Sequence, residues 1–222
     1  MTKLQAVLCD LDGTLIDSEA VALRVYTELW QRVTRQTIPA DLAQIVAGKT
    51  VEERAAMLYE QGDKALTYQE LIVLFRASFD RIWSQEGIAP LPGADAFLRT
   101  VHAAGVRLAL VTSSGRQYVE RVLEERAWTA FFSVVITRED AEHHKPAPDL
   151  YLEAVRQLQV ASDVVVAIED SFPGVQSAQA AGVRVLGVGA STHTGTLPAT
   201  RVVTSLESTT FQDLEDLLTL SL

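Results

Sequence analysis

Six apolar runs constrain this chain more than any other feature: Leu4 to Cys9, Val106 to Thr112, Val134 to Thr137, Val164 to Ile168, Val183 to Val188 and Arg201 to Val203. Each run is continuous and not alternating, which predicts strands buried on both sides, the condition of a parallel sheet covered by helices on its two faces. Between the runs, apolar residues recur at helical spacing, as at Ala94, Phe97, Leu98 and Val101 and around Val119, Val122 and Leu123. Gly105 and Gly182 stand just ahead of strands, where left-handed helix caps belong. The alternation predicts the α/β class, a Rossmann-like parallel sheet in three α/β/α layers. Ligands of such sheets bind beyond the carboxyl ends of the strands.

The rhythm fails between Ile16 and Glu86. That stretch has helical periodicity (Val21, Val25, Leu29; Leu71, Phe75, Phe79, Ile82) and no buried strand. We therefore expect a core of residues 1–15 and 87–222 with an all-helical insertion over 16–86, Pro90 to Gly93 as the return linker, and one more helix within Leu206 to Leu222. The 222 residues are enough for one such core.

Lys and Arg total 19 against 29 Asp and Glu, for a formal charge of −10. That balance disfavours nucleic acid and anionic membrane as partners, although it does not fix the sign of a pocket. A single cysteine, Cys9, excludes an internal disulfide and a multi-cysteine metal cluster. With no secretory signal pattern and no run of 18 uncharged apolar residues, the expected location is the cytoplasm. A monomer is expected.

Chemistry concentrates at the strand ends. Asp10 and Asp12, followed by Gly13 and Thr14, can bring two carboxyls to one small site, where like charges are costly unless a cation or a shared proton relieves them. Glu169 and Asp170 end another strand in the same way. Four acids gathered along one sheet edge call for a hard, oxygen-preferring ion such as Mg²⁺. The same residues also suit an Asx-type turn and a helix N-cap at Asp170 or Ser171. Thr112, Ser113, Ser114 and Gly115 offer hydroxyls and free N–H groups to a phosphate or sulfate oxygen, or simply cap the next helix. Lys145 is held between His143-His144 and two prolines, on a stiff turn ahead of a helix beginning near Asp149. The two histidines have no third at a metal spacing. Gly48-Lys49-Thr50 imitates the end of a phosphate loop, but Ala43 stands where the earlier glycine is required. Gly187 and Gly189 likewise begin a dinucleotide pattern that Thr192 breaks.

Asp10-Leu11-Asp12-Gly13-Thr14, then Thr112, Lys145 and Glu169-Asp170, occur in the order of the four motifs of the haloacid dehalogenase-like hydrolases. The chain resembles that superfamily over essentially its whole length, and within it the phosphatases and β-phosphoglucomutases with a small helical cap. The resemblance implies that the insertion is a lid excluding water. It implies Asp10 as nucleophile, Asp12 as acid and base, and Thr112 and Lys145 as ligands of the non-bridging oxygens. Mg²⁺ would be held by Asp10, Asp12 and Asp170 with Glu169 close by, the Asp12 backbone carbonyl also facing the metal. The implied substrate is a small phosphorylated metabolite, a sugar phosphate, hydrolysed through an aspartyl-phosphate.

The rival is a β-phosphoglucomutase-type sugar phosphomutase. Those enzymes carry a cap histidine where this chain has Ala22, and an arginine where Val51 follows Gly48. The acids also argue against dehalogenation, and against a non-catalytic sensor of the same fold. A phosphonatase would want a Schiff-base lysine; Lys49 and Lys64 are present without a distinguishing context. Gly48, Lys49 and Thr50 occupy the place of the family's specificity loop, which makes them candidate substrate ligands, with Arg76 and Arg81 as lesser ones. Trp30 and Trp83 read as cap core.

Overall fold

A chain whose central strands are apolar on both faces must bury both sides of its sheet, and this one does. The computed structural model describes residues 3–189 and 197–220. Among them are the strands β1 (Ala6–Cys9), β2 (Arg107–Val111), β3 (Phe132–Ile136), β4 (Val165–Glu169), β5 (Arg184–Val188) and β6 (Arg201–Val203). They pair in parallel in the order β3-β2-β1-β4-β5-β6. Successive connections run outward from β1 in opposite directions, so the sheet has a switch point beside β1, where α/β folds bind ligands.

The sheet and the residues around it form one unit, Met1–Ile16 with Pro90–Leu222. Its connecting helices are α5 (Ala94–Ala103), α6 (Arg116–Arg126), α7 (Asp149–Leu158), α8 (Phe172–Ala180) and α9 (Phe211–Leu217), numbered after four in the insertion. Leu150, Tyr151, Ala154 and Leu158 of α7 and Val175 and Ala178 of α8 pack on Ala6, Leu8, Ala109, Val111, Val165 and Ala167. Val7 and Cys9 point the other way by strand alternation and are also fully buried, so the second face is covered too. Edge strands are less enclosed: Ser133 of β3 and Arg201 of β6 are exposed.

Three expectations shift in detail. β3 begins at Phe132, two residues early, because a register shift at Leu108/Ala109 lets the exposed Ser133 donate its hydroxyl to the Leu108 carbonyl at 3.0 Å. The final helix is shorter, since Leu206–Ser208 forms a separate 3₁₀ turn before Thr210 caps α9 through Asp213. Pro90 is more than linker: it forms an isolated antiparallel bridge with Ile16, holding the outgoing and returning chain side by side.

The insertion, Asp17–Ala89, is a second unit. It holds α1 (Ser18–Thr34), α2 (Leu42–Val46), α3 (Val51–Gln61) and α4 (Tyr68–Glu86). Thr50 with Glu53 and Thr67 with Glu70 close reciprocal capping boxes that start α3 and α4. Val25, Tyr26, Leu29, Leu58, Leu71, Phe75 and Ile82 fill its interior, together with Trp30 and Trp83. Among the described residues, no helix is long and apolar enough to cross a membrane.

Candidate active site

Strand register assembles the site. β1 pairs Cys9 with Ile168 on one side and Leu110 on the other, so the next residue, Asp10, comes out beside Glu169 and Val111. Its N–H donates to the Ile168 carbonyl at 3.0 Å, extending the ladder one residue past the strand. Lys145, from the turn before α7, reaches all three. Its Nζ donates to Asp10 Oδ1 at 2.5 Å, Glu169 Oε1 at 2.6 Å and the Val111 carbonyl at 2.9 Å. Burial opposes the charge on Lys145, but Asp10 and Glu169 more than offset this and raise its pKa.

Glu169 is fully enclosed. Besides Lys145, its Oε1 accepts from the Tyr151 hydroxyl at 2.8 Å, and its Oε2 from the Ser171 hydroxyl at 3.1 Å. Ser171 accepts in turn from the Gly174 N–H at 3.1 Å, so Ser171, not Asp170, is the N-cap of α8. Gly174 is required by space: a Cβ there would lie 2.0 Å from the Glu169 carboxyl.

Asp10, Glu169 and Asp170 can bring one oxygen each within 4.8 Å of one another. Asp170 Oδ1 accepts from the Thr14 hydroxyl at 2.9 Å. The chain passes it at Gly13, where φ is +83° and a Cβ would come within 2.3 Å of Asp170 Oδ2. Burial, only partly opposed by Lys145, pushes the Asp10 carboxyl well above the usual range, with Glu169 and Asp170 adding to it. Burial and Glu169 push Asp170 up to about 7. Three clustered acids with one ammonium are thus costly to ionise together, and an all-oxygen donor set suits a hard divalent cation that would relieve that cost.

The Asp12 carboxylate does not join that trio. It faces α6, where Oδ2 accepts from the Ser114 hydroxyl at 2.6 Å and Oδ1 from the Tyr118 hydroxyl at 2.7 Å. Among the described residues, the clustered carboxylates are thus those of Asp10, Glu169 and Asp170, without that of Asp12. Buried Thr112 directly follows β2 and accepts from the Ser114 N–H at 3.0 Å, while Ser113 is exposed. Neither serine caps α6, whose N-cap is Gly115 without a side-chain bond. Sequence reasoning missed Tyr118 and Tyr151. Tyr151 was within reach, because Leu150, Tyr151, Ala154 and Leu158 form the buried stripe of α7 and a buried tyrosine needs a partner for its hydroxyl.

Most of the remaining candidates have local partners. Gly48, Lys49 and Thr50 lie in the turn between α2 and α3, and the Thr50 hydroxyl is engaged by Glu53 N–H at 3.1 Å. Arg76 pairs with Glu52, Arg81 with Glu28, and Lys64 with the Tyr59 carbonyl and ring. His143 bonds Asp149 at 3.0 Å and His144 the Arg138 carbonyl at 3.1 Å, both exposed. Thr192 lies outside the described residues.

The family model described as haloacid dehalogenase-like hydrolase matches residues 7–188. A bifunctional riboflavin kinase/FMN phosphatase of Arabidopsis thaliana is 33% identical over 82% of this chain; the chain spans 48% of that relative's length. Hexitol phosphatase A of Escherichia coli is 32% identical, covering 86% of each chain. CbbY from Rhodobacter sphaeroides, solved in complex with phosphate, superposes with a TM-score of 0.76 at 26% identity, over 96% of this chain and 99% of that one.

Proposed function

The chain belongs to the haloacid dehalogenase-like hydrolase family, and on that footing we propose that it is a Mg²⁺-dependent phosphatase of a small phosphorylated metabolite, a sugar phosphate, acting through an aspartyl-phosphate on Asp10. One observation carries the reading: the Lys145 ammonium sits 2.5 Å from Asp10 and 2.6 Å from Glu169, at the mouth of the sheet and within an acid trio suited to a divalent cation.

Asp10 attacks phosphorus in line; its oxygen–phosphorus bond forms as the bond to the leaving oxygen breaks. Asp12, engaged by hydroxyls and not by Lys145, gives its proton to that leaving oxygen, then takes one from the water that hydrolyses the aspartyl-phosphate. Lys145 and Thr112 bind the non-bridging oxygens, where hydrogen bonds strengthen as charge develops. Tyr151 and Ser171 hold Glu169, and Glu169 holds Lys145. Asp10, Glu169 and Asp170 would hold the cation, with the Asp12 carbonyl. When bound, it supplies neutralising charge between nucleophile and phosphate. Lys49 and its turn are the proposed contacts for the rest of the substrate.

Phosphate release from 4-nitrophenyl phosphate and a panel of sugar phosphates, with Mg²⁺ or with EDTA, tests this. Turnover is expected with Mg²⁺ alone and should vanish in Asp10→Asn; unchanged turnover in that variant refutes it. Product analysis separates the rival, since a phosphomutase returns an isomeric sugar phosphate and no free phosphate. Ala22 and Val51, in place of the mutase histidine and arginine, support hydrolysis.

A further inference from the structure

Asp12 stands two residues after the proposed nucleophile, yet its side chain turns to a different element. The loop into α6 and the helix's first turn supply one donor each: Ser114 lies just before the N-cap Gly115, and Tyr118 is the third residue of the helix. Each oxygen of Asp12 takes one hydroxyl, Oδ2 from Ser114 at 2.6 Å and Oδ1 from Tyr118 at 2.7 Å. Two donors on two oxygens fix the carboxyl plane against rotation about Cβ–Cγ, which a single bond would leave free. Each oxygen keeps a lone pair for another partner.

The helix that carries these donors is itself anchored. Val119, Val122 and Leu123 are buried beneath it, and the Arg116 N–H donates to Glu139 at 3.0 Å. Ser114 is tied again through its own N–H to Thr112, so the same short segment links the phosphate-binding threonine to the acid.

We propose that Tyr118, aided by Ser114, is a positioning residue that aims the Asp12 carboxyl at the leaving-group oxygen. The inference rests on Asp12 being the general acid. As the Asp10–phosphorus bond forms and the phosphorus–leaving-oxygen bond breaks, the proton on Asp12 passes to the leaving oxygen. The need for it grows with the basicity of that oxygen, so misplacing the acid harms a substrate with a basic leaving group and spares one with a stable leaving anion.

The test is kcat/KM for phenyl phosphate and 4-nitrophenyl phosphate, in Mg²⁺, for wild type, Tyr118→Phe, Ser114→Ala and Asp12→Asn. This parameter covers only the steps through phosphoryl transfer to Asp10, so the later hydrolysis does not blur it. Tyr118→Phe keeps the ring and is expected to lose about 10-fold on phenyl phosphate and less than about 2-fold on 4-nitrophenyl phosphate, the scale of one hydrogen bond to a charged group. Asp12→Asn should show the same preference more strongly. Ser114→Ala reports the same geometry should Tyr118→Phe prove unstable by thermal melting. Equal losses on both substrates, or a gain, in Tyr118→Phe while Asp12→Asn discriminates, overturn the positioning role alone. If Asp12→Asn fails to discriminate, the acid assignment falls and the inference with it.

Discussion

Removing a charge from the acid trio should make the protein more stable and less active. In Asp170→Asn the side chain keeps its shape, and its carbonyl oxygen can still accept from the Thr14 hydroxyl. What is lost is one of three clustered carboxylates, the one that Lys145 does not bond directly. Asp170 is raised from 3.8 to about 7 by burial and by Glu169, and that difference corresponds to ~4 kcal/mol of destabilisation once the group is forced to ionise. Counter-ions at the rim recover part of it, leaving a gain of about 2 kcal/mol for the variant at pH 8.

The pH dependence has a definite sign. Below about pH 4 the carboxyl is protonated in both folded and unfolded chains and carries no penalty. Between about 4 and about 7 the unfolded chain binds fewer protons than the folded one, so wild-type stability falls as pH rises. Urea unfolding in EDTA, followed by circular dichroism, should show the variant overtaking wild type across that window. Mg²⁺ should reverse the order, since ligand at 100 times its Kd adds ~2.7 kcal/mol to the protein that binds it. A variant less stable than wild type at pH 8 in EDTA, or a difference that ignores pH, would refute the reasoning.

Two other substitutions have directions fixed by the same cluster. Lys145→Met strips Asp10 and Glu169 of their shared cation; it should cost about 3–5 kcal/mol in urea titration and abolish phosphate release, the opposite stability sign from Asp170→Asn. Gly174→Ala drives a methyl into the Glu169 carboxyl, and should cost about 1–3 kcal/mol and lower kcat by shifting Lys145. Gly105→Ala is its control: with φ of +72° and open space around the Cβ, it should cost about 1–2 kcal/mol in thermal melts and leave kcat unchanged.

The sheet was legible because burial on both faces erases alternation, and an unbroken run such as Val164 to Ile168 has few other uses. The Asp10, Glu169 and Lys145 grouping was half legible. Strand ends were marked by the acids themselves, but that β1 and β4 are neighbours is a property of topology, and only their register sets Asp10 beside Glu169. Asp12 was the least legible. From sequence it shares a motif with Asp10, yet its direction is decided by where the first turn of α6 packs, and nothing in the text of Arg116 to Arg126 marks Tyr118 apart from an ordinary half-buried aromatic. The β3 boundary failed for a similar reason, since a polar Ser133 interrupts the run while its hydroxyl satisfies a neighbouring strand's carbonyl.

Because β1 is flanked by strands on both sides, its amides belong to the ladder that opens last, and amide exchange there should track global unfolding. Asp10 is fastened to that ladder through Ile168, whereas Asp12 rides a turn closed by Leu15 N–H on the Leu11 carbonyl, beyond the sheet. Warming or mild denaturant will therefore loosen the proposed acid before it disturbs the proposed nucleophile. With 4-nitrophenyl phosphate, whose leaving anion needs little protonation, phosphoryl transfer to Asp10 should outlast turnover, and a labelled Asp10 should accumulate under conditions where phosphate release has already slowed.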